Sequence, residues 1–306
     1  MRRSCLGLCL GLLLLPLGAR ADEFDQGLST LWEVLWHQSG TPTRIVRWEN
    51  DIRVRIGGLN AATHHDHLIE ALRAVTQEAG VKLTDVTGQP DAEQTANVSI
   101  EITPDTQLED NQPCVTYIDF RSETRIDSAT VQMRDHDAWR CAYHESMHVM
   151  GVRGHPAGQT VLSYFPWKID GLLPLDRVML RAWYSNKMAA GMTPFEALPV
   201  LADELIATQP NKQLAMQQRD QFFAGVIGKM RDYATGTGHV PAVVKRSGKS
   251  TPEGIKFGRS EMSYFLGIAY LEGVTVPRDA TQAVKWLERA ATLGNRSAQT
   301  KLGAFK

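Results

Sequence analysis

Residues 144–148 read His-Glu-Ser-Met-His, which is an HExxH pattern. Its two histidine side chains point in the same direction only if the segment is helical. Residues four apart on a helix differ by about 400° of turn and ~6 Å of rise, so His144 and His148 point to one side. Two imidazole nitrogens placed in this way can bind one zinc ion at ~2.0–2.1 Å. The pattern therefore predicts a helix that begins near 135 or 137 and ends by Gly151.

Glu145, beside the first histidine, predicts a hydrolytic role for this helix. A glutamate at that position can hold a zinc-bound water and accept its proton, so we predict Glu145 as a catalytic residue and zinc as the cofactor. Helical steps of about 100° place the large apolar residues in one stripe, which we expect to pack on a sheet. This stripe consists of Trp139, Tyr143, Met147 and Met150. A purely structural helix could also carry exposed histidines, but it would not need Glu145 between them.

A third ligand is expected because catalytic zinc normally has three protein ligands and a water. His155 is the first choice, since Gly151 allows the chain to leave the helix and turn back towards the metal. Asp170 and Asp176 are alternative oxygen ligands, although Asp176 also suits a role at the start of the next helix. The predicted metal ligands are His144, His148 and His155.

The segment that begins at residue 144 resembles the metzincin signature HExxHxxGxxH. Here position 154 is glycine, and the third histidine, His155, comes one residue later than in that family. Metzincins also carry a methionine turn beneath the zinc, often followed two residues later by a tyrosine. Leu162 stands at the methionine position and Tyr164 at the tyrosine position. The resemblance implies a zincin fold and a catalytic Tyr164 that hydrogen-bonds the oxyanion; an ordinary half-buried tyrosine is the alternative.

The region 44–198 also resembles an uncharacterised bacterial family of exported proteins. The resemblance rests on 48–54, on the HExxH segment and on 175–184. In many members of that family glutamine replaces the second histidine, which implies a domain without one of the ligands. This chain keeps His148, which favours metal binding, but the family by itself leaves activity open.

Apolar and polar residues alternate in six segments, which predict strands at 45–48, 52–56, 81–86, 96–102, 115–120 and 129–133. Helical periodicity and capping signals predict further helices at 28–36, 65–79, 174–188, 193–207 and 211–234. The fold class is therefore α+β, with a zincin-like mixed sheet and an active-site helix, followed by an all-helical C-terminal repeat region. We expect 129–133 to be the sheet edge that pairs with an extended substrate.

Residues 1–21 predict a cleavable signal peptide, because two arginines precede a short apolar run and an Ala-Arg-Ala sequence. We expect cleavage near Ala21 and a secreted or periplasmic product. The later chain contains only Cys114 and Cys141, which predict one disulfide; two buried free thiols are the alternative. The net charge of −1 provides no field that would recruit nucleic acid, and no later segment is apolar enough to span a membrane.

The C-terminal region predicts helices of a different kind. We divide the chain into the signal peptide, a metallopeptidase domain at 22–200, a helical connector and linker at 201–258, and a repeat region at 259–306. Residues 262–294 resemble a Sel-like repeat, a relative of the tetratricopeptide repeat. The matching residues include Tyr264, Leu266, Gly267, Trp286, Leu287 and Ala290. One repeat cannot bury its faces alone, so we expect it to dock on preceding helices, either as a structural cap or as a protein-binding surface.

These observations together predict zinc-dependent peptide-bond hydrolysis by an exported metallopeptidase that acts on a peptide or protein substrate. The alternative is a non-catalytic zinc-binding envelope protein that uses its helical repeat to bind a partner. Hydrolysis of cell-wall amides is a third alternative, which differs only in substrate. His64, His65 and His67 cluster where a helix is predicted to begin; a second metal is conceivable there, but a solvated helix end is the more common explanation.

Overall fold

The computed structural model describes residues 17–109, 112–163 and 170–304. The strands in these ranges are β1 (Trp36–His37), β2 (Thr41–Pro42), β3 (Ile52–Gly58), β4 (Leu83–Asp85), β5 (Val98–Thr103), β6 (Cys114–Phe120) and β7 (Ile126–Arg134). The helices are α1 (Leu17–Val34), α2 (Ala61–Ala79), α3 (Ala92–Thr95), α4 (Ala138–Val149), α5 (Pro174–Trp183), α6 (Pro194–Ala207), α7 (Lys212–Thr235), α8 (Ala242–Arg246), α9 (Pro252–Glu272), α10 (Ala280–Thr292) and α11 (Arg296–Gly303). Most of the predicted signal peptide lies outside the described residues.

A five-stranded mixed sheet with the order β4-β3-β5-β7-β6 forms the centre of the N-terminal region. Strands β3, β4, β5 and β7 are parallel, whereas β6 is antiparallel to β7. In β3 the apolar residues Ile52, Val54 and Ile56 are buried, while Arg53 between them is exposed. The sequence alternation therefore predicted this strand correctly, because successive side chains of a strand point to opposite faces.

The sheet edge next to α4 is β6, so the prediction that 129–133 forms the edge was wrong. Those residues belong to β7, which pairs with β5 on one side and with β6 on the other. No strand of the described residues pairs with the remaining side of β6. In the sequence β6 comes before β7, and β7 then pairs between β6 and β5, so the later strand lies inside the sheet.

The segment 45–48 was wrongly predicted as a strand. Its contact with the sheet is a single bridge between Arg47 and Arg125. The Ile45 amide instead donates to the Met192 carbonyl, and the Gly191 amide donates to the Ile45 carbonyl. The alternation of this segment thus reflects packing between the sheet and the loop before α6.

Helix α4 carries the HExxH residues and packs against α2 and the end of the sheet formed by β6 and β7. Its predicted apolar stripe does not pack on the sheet throughout, because Trp139 stacks on His67 of α2 with 5.4 Å between ring centroids, and Tyr143 meets the same ring edge-on. The sheet side of α4 instead includes Cys141 and Glu145. These two residues form a disulfide to Cys114 and a hydrogen bond to Thr116 of β6, respectively.

The C-terminal region is helical, as predicted. Thr193 and Glu196 form the predicted capping box of α6, and the Asn211 side chain accepts from the Leu214 amide at the start of α7. The linker predicted within 201–258 is only partly irregular, since the chain after α7 contains α8 and the beginning of α9.

Helices α9 and α10 form the repeat and pack closely at Gly267, where an added Cβ would lie 2.8 Å from the Leu287 side chain. The pair also docks on the rest of the chain, as expected for a single repeat: α9 contacts α7 and β2, and Arg289 donates to the Ala234 carbonyl. In the described residues we find no helix with the length and apolar character needed to cross a membrane.

Candidate metal centre

Three imidazoles converge at the C-terminal end of α4. His144 and His148 project from the helix, and His155 returns to them because the chain reverses at Gly151, whose φ is 85°. The His148 Nε2 atom lies 3.0 Å from Nε2 of His144 and 3.2 Å from Nε2 of His155. The candidate ligand atoms of the triad all lie within 4.8 Å of one another.

The position of the third imidazole follows from the packing of Gly154. A Cβ at residue 154 would lie 2.3 Å from the Val34 carbonyl oxygen at the end of α1. No side chain fits at this position, where the metzincin pattern has its third histidine. The next residue, His155, has room for its ring, which gives a physical reason for the extra residue.

Hydrogen bonds on the far side of two rings fix their orientation. The Nδ1–H group of His144 donates to the Val161 carbonyl at 2.9 Å, and that of His148 donates to the Val152 carbonyl at 2.7 Å. These bonds assign the proton to Nδ1 and direct each Nε2 lone pair towards the centre of the triad. Neutral rings of this tautomer cannot donate to each other through Nε2.

A zinc ion fits this donor set. Tetrahedral zinc with bonds of ~2.0–2.1 Å holds its nitrogen ligands roughly 3.3 Å apart, close to the 3.0 and 3.2 Å separations of the Nε2 atoms. Burial lowers the pKa of His144 to about 3, with a further contribution from His155, and burial also holds the pKa of His148 well below its usual value. Both rings are therefore neutral at pH 7, which is the form that binds metals.

Glu145 lies beside the triad and is buried. Its Oε2 accepts a hydrogen bond of 2.5 Å from the Thr116 hydroxyl of β6. Burial raises the pKa of Glu145 to about 7, and the bond from Thr116 opposes that shift. A carboxyl group that titrates near neutral pH exchanges protons readily in both directions.

The triad opens into a cleft of about 380 Å³ between α4 and the edge strand β6. Its walls include both the metal-centre residues and most of β6, among them Cys114, Val115, Thr116, Tyr117, Ile118, Phe120, His144, Glu145, His148 and His155. Glu145 and the three imidazoles therefore face the same solvent-accessible space as the backbone of the edge strand.

The alternative oxygen ligands do not join the triad. Asp176 is buried and accepts from Thr160, from the Val161 amide and, at 2.9 Å, from the Leu173 amide. It thus braces the segment whose Val161 carbonyl orients His144. Asp170 lies on the surface, 3.7 Å from His67. Tyr164 lies outside the described residues, so its catalytic role stays a prediction.

The cleft also contains two basic side chains that the sequence did not single out. His37, in β1, has its pKa lowered to about 4 by burial, by Arg153 and by His155. The Arg153 guanidinium lies 5.8 Å from the centre of the Phe120 ring. Arg153 occupies a variable position of the HExxH-containing segment 144–155 and His37 lies in no motif, so neither was singled out. Gly151 and Gly154, on either side of 152–153, are the local sequence signal that this segment packs closely against the backbone of other elements.

The second histidine cluster does not form a comparable site. His64 contacts the side chain of Asp135, and His65 contacts the side chains of Asp66 and Asp85. His67 lies against the Trp139 carbonyl. In the described ranges, the group of three or more candidate ligands with convergent atoms is the one at 144–155.

The comparison with protein families concerns the C-terminal region. Residues 260–295 match the Sel1 repeat. This match agrees with the predicted repeat at 262–294 and with the packing of α9 against α10. The curated proteins and the solved structures yield no match to the chain. The comparisons therefore support the Sel1 repeat, and no metallopeptidase family is among their matches.

Proposed function

We propose that this chain is an exported zinc-dependent peptidase with a zincin-like site. The observation that supports the proposal most directly is the position of Glu145 beside three convergent imidazoles in an open cleft. In this proposal His144, His148 and His155 hold the zinc ion through Nε2. A zinc ion held there would supply Lewis acidity, which would polarise a peptide carbonyl and make water a better nucleophile.

Glu145 carries the proton during the reaction. As the water oxygen bonds to the carbonyl carbon, the Glu145 carboxylate accepts a proton from that water. When the carbon–nitrogen bond breaks, Glu145 gives the proton to the departing amine nitrogen and returns to its starting state. The Thr116 hydroxyl holds Oε2 in place, 2.5 Å away, and so keeps the carboxylate beside the reacting atoms.

The edge strand β6 gives the proposal its substrate class. An extended peptide can pair with unused backbone groups at a sheet edge, while its side chains occupy neighbouring pockets. The cleft is lined by β6 along most of its length, so a peptide paired with this strand would pass the triad. The disulfide between Cys114 and Cys141 fits an oxidising, extracellular compartment and supports export.

The test compares the zinc-loaded wild type with Glu145→Gln. We expect both proteins to bind about one zinc per chain, measured by mass spectrometry of the metal, because the ligands are unchanged. Hydrolysis of casein or of a mixed peptide library should fall by at least about 100-fold in Glu145→Gln, since the amide cannot accept the proton. Glu93→Gln on the exposed surface of α3 is the matched control and should keep full activity.

Equal hydrolysis by the wild type and Glu145→Gln would contradict the mechanism. Zinc retained by a wild type that hydrolyses no peptide would instead favour a second candidate function, a non-catalytic zinc-binding envelope protein. The match at 260–295 favours that candidate to some extent, because Sel1 repeats often mediate protein interactions. Capture of a defined partner that depends on α9 and α10 but not on Glu145 would then be the expected result.

A further inference from the structure

We infer that the cleft selects substrates that carry a carboxylate group, which Arg153 binds. This inference rests on the proposed function and deepens it, because it names the chemical class of substrate. The carboxylate can come from two sources: the C-terminus of a peptide or an acidic side chain within it. Both sources present the same two oxygens to a guanidinium group.

Arg153 has no carboxylate partner in the described part of the chain, although it is half-buried in the wall of the cleft. Two other half-buried arginines, Arg55 and Arg140, are paired with Glu101 and Asp137 at 2.8 and 2.6 Å. Removing a guanidinium from water costs free energy that an ion pair or hydrogen bonds normally offset. The partner that offsets this cost for Arg153 is the ligand that the cleft admits.

The geometry around Arg153 favours a planar anion. Its guanidinium lies 5.8 Å from the centre of the Phe120 ring, near the end of β6. Such contact with an aromatic ring restricts the side chain and leaves the guanidinium N–H groups available for bidentate hydrogen bonds to a carboxylate. A lysine at this position would supply the charge without the paired donors.

The charges that line the cleft agree with this inference. Among the described lining residues Glu145 is the sole carboxylic acid, and its Oε2 atom is already bonded to Thr116. Arg153, together with a divalent cation held by the triad, would make the local potential positive. A cleft lined by one sign of charge attracts substrates of the opposite charge and disfavours basic ones.

Arg153 lies beside the Phe120 end of β6, and this position defines where the substrate carboxylate lies relative to the cleaved bond. Thr116 contacts Glu145, and Phe120 contacts Arg153. Four residues of extended chain cover about 13 Å, so a peptide alongside β6 runs from the triad to Arg153 within about four residues. The carboxylate therefore belongs to a residue a few positions from the reacting carbonyl, on one side of it.

The experiment uses four matched peptides with the zinc-loaded full chain. One peptide has a free C-terminal carboxylate, one has the same sequence with a C-terminal amide, and two amidated peptides carry Glu or Gln at one internal position. We expect the wild type to prefer a carboxylate peptide over its neutral partner by roughly 10- to 100-fold in kcat/KM, as for a charge-assisted hydrogen bond. The first pair tests the C-terminus as the source, and the second pair tests the side chain.

Arg153→Gln should bring the two peptides of each pair to about equal kcat/KM and so abolish this preference. Arg153→Lys should keep only part of it, and its zinc content reports on folding. The matched control is Arg121→Gln, which removes the same charge next to Phe120 from an arginine that already pairs with Asp127 at 2.9 Å. This control should keep the wild-type preference.

Two results overturn the inference: a wild type that treats both peptides of each pair alike, or a preference that survives in Arg153→Gln. Failure of the inference is distinguished from failure of the proposed function by measuring the direct binding of fluorescently labelled versions of the same four peptides. If carboxylate peptides bind tightly in an Arg153-dependent manner but are not hydrolysed, the inference stands and the peptidase proposal fails.

Discussion

At the residue scale, the candidate third ligand, His155, depends on the glycine before it as much as on its own ring. Gly154 rests against the Val34 carbonyl, and the chain that leaves α4 can reach this position because Gly151 adopts a φ of 85°. The contact at Gly154 and the backbone conformation of Gly151 together fix the position of the His155 backbone. The geometry of the candidate metal centre is thus set by backbone packing, which determines where the His155 imidazole lies.

We predict that Gly154→Ala weakens zinc binding by about tenfold or more, in the range seen when a group supporting a ligand is lost. The added Cβ would lie 2.3 Å from the Val34 carbonyl oxygen, so the loop and His155 must move. We also expect a loss of about 1–3 kcal/mol in the free energy of unfolding, as for overpacking. Competition with a chromogenic chelator measures the affinity, and denaturant unfolding measures the stability.

The matched control is Gly225→Ala in α7, where an added Cβ meets no atom within 4 Å. That variant should keep the zinc affinity and be slightly more stable, since alanine favours a helix. Wild-type affinity in Gly154→Ala would show that His155 does not depend on this contact.

At the element scale, the candidate metal centre lies where α4 passes the edge strand β6, and a covalent bond joins the two elements. The disulfide links Cys114 at the first residue of β6 to Cys141, which is one turn before His144. The hydrogen bond between Thr116 and Glu145 is a second connection between the same elements. The strand and the helix are therefore held together at Glu145 and again one turn before it.

We predict that a double variant, Cys114→Ser with Cys141→Ser, unfolds with about 3 kcal/mol less free energy than the wild type. The bond closes a separation of 27 residues, and cross-links of that size restrict the unfolded chain by about this amount. Reductant should destabilise the wild type in chemical denaturation and leave the double variant unchanged. An equal effect of reductant on both proteins would contradict this explanation.

Local features of these elements could be predicted from the sequence, whereas the elements that pack beside them in the fold could not. The HExxH helix, its end before Gly151 and the presence of a third histidine soon after it depend on one short segment, whereas the placement of His155 also depends on Gly154 packing against α1. The edge position of β6 depends on the order in which strands pair, which alternation does not encode. The same holds for 45–48, whose backbone partners are near 191. Arg153 and His37 enter the cleft by tertiary packing, so no motif indicated them.

At the scale of the whole molecule, the helical region and the sheet region share contacts. Arg44 donates to the Gly191 carbonyl at 2.7 Å and to the Tyr264 hydroxyl of α9 at 2.9 Å. Helix α9 also contacts α6 and α7. The Sel1 repeat at 260–295 therefore shares a common core with the helices and strands before it, since a repeat of this kind buries its faces on neighbouring elements.

We predict that Arg44→Gln lowers the free energy of unfolding by about 1–3 kcal/mol, because both acceptors lose a charged donor in a partly buried place. The chain should still unfold in one transition, observed by circular dichroism and by tryptophan fluorescence together. Arg53→Gln, on the exposed side of β3, is the control and should change stability by less than about 0.5 kcal/mol. Two separate transitions in the wild type would indicate that the repeat folds independently.

The contact of Gly154 with Val34 also makes α1 part of the outer support of the candidate metal centre. Glu33, the neighbour of Val34, accepts a hydrogen bond of 2.8 Å from the Ala157 amide, so the end of α1 holds the 154–157 segment at two points. Recombinant versions shortened past this helix would lose the support for His155 while keeping the whole HExxH sequence. An inactive preparation of that kind would reflect the trimming rather than the chemistry of the intact protein.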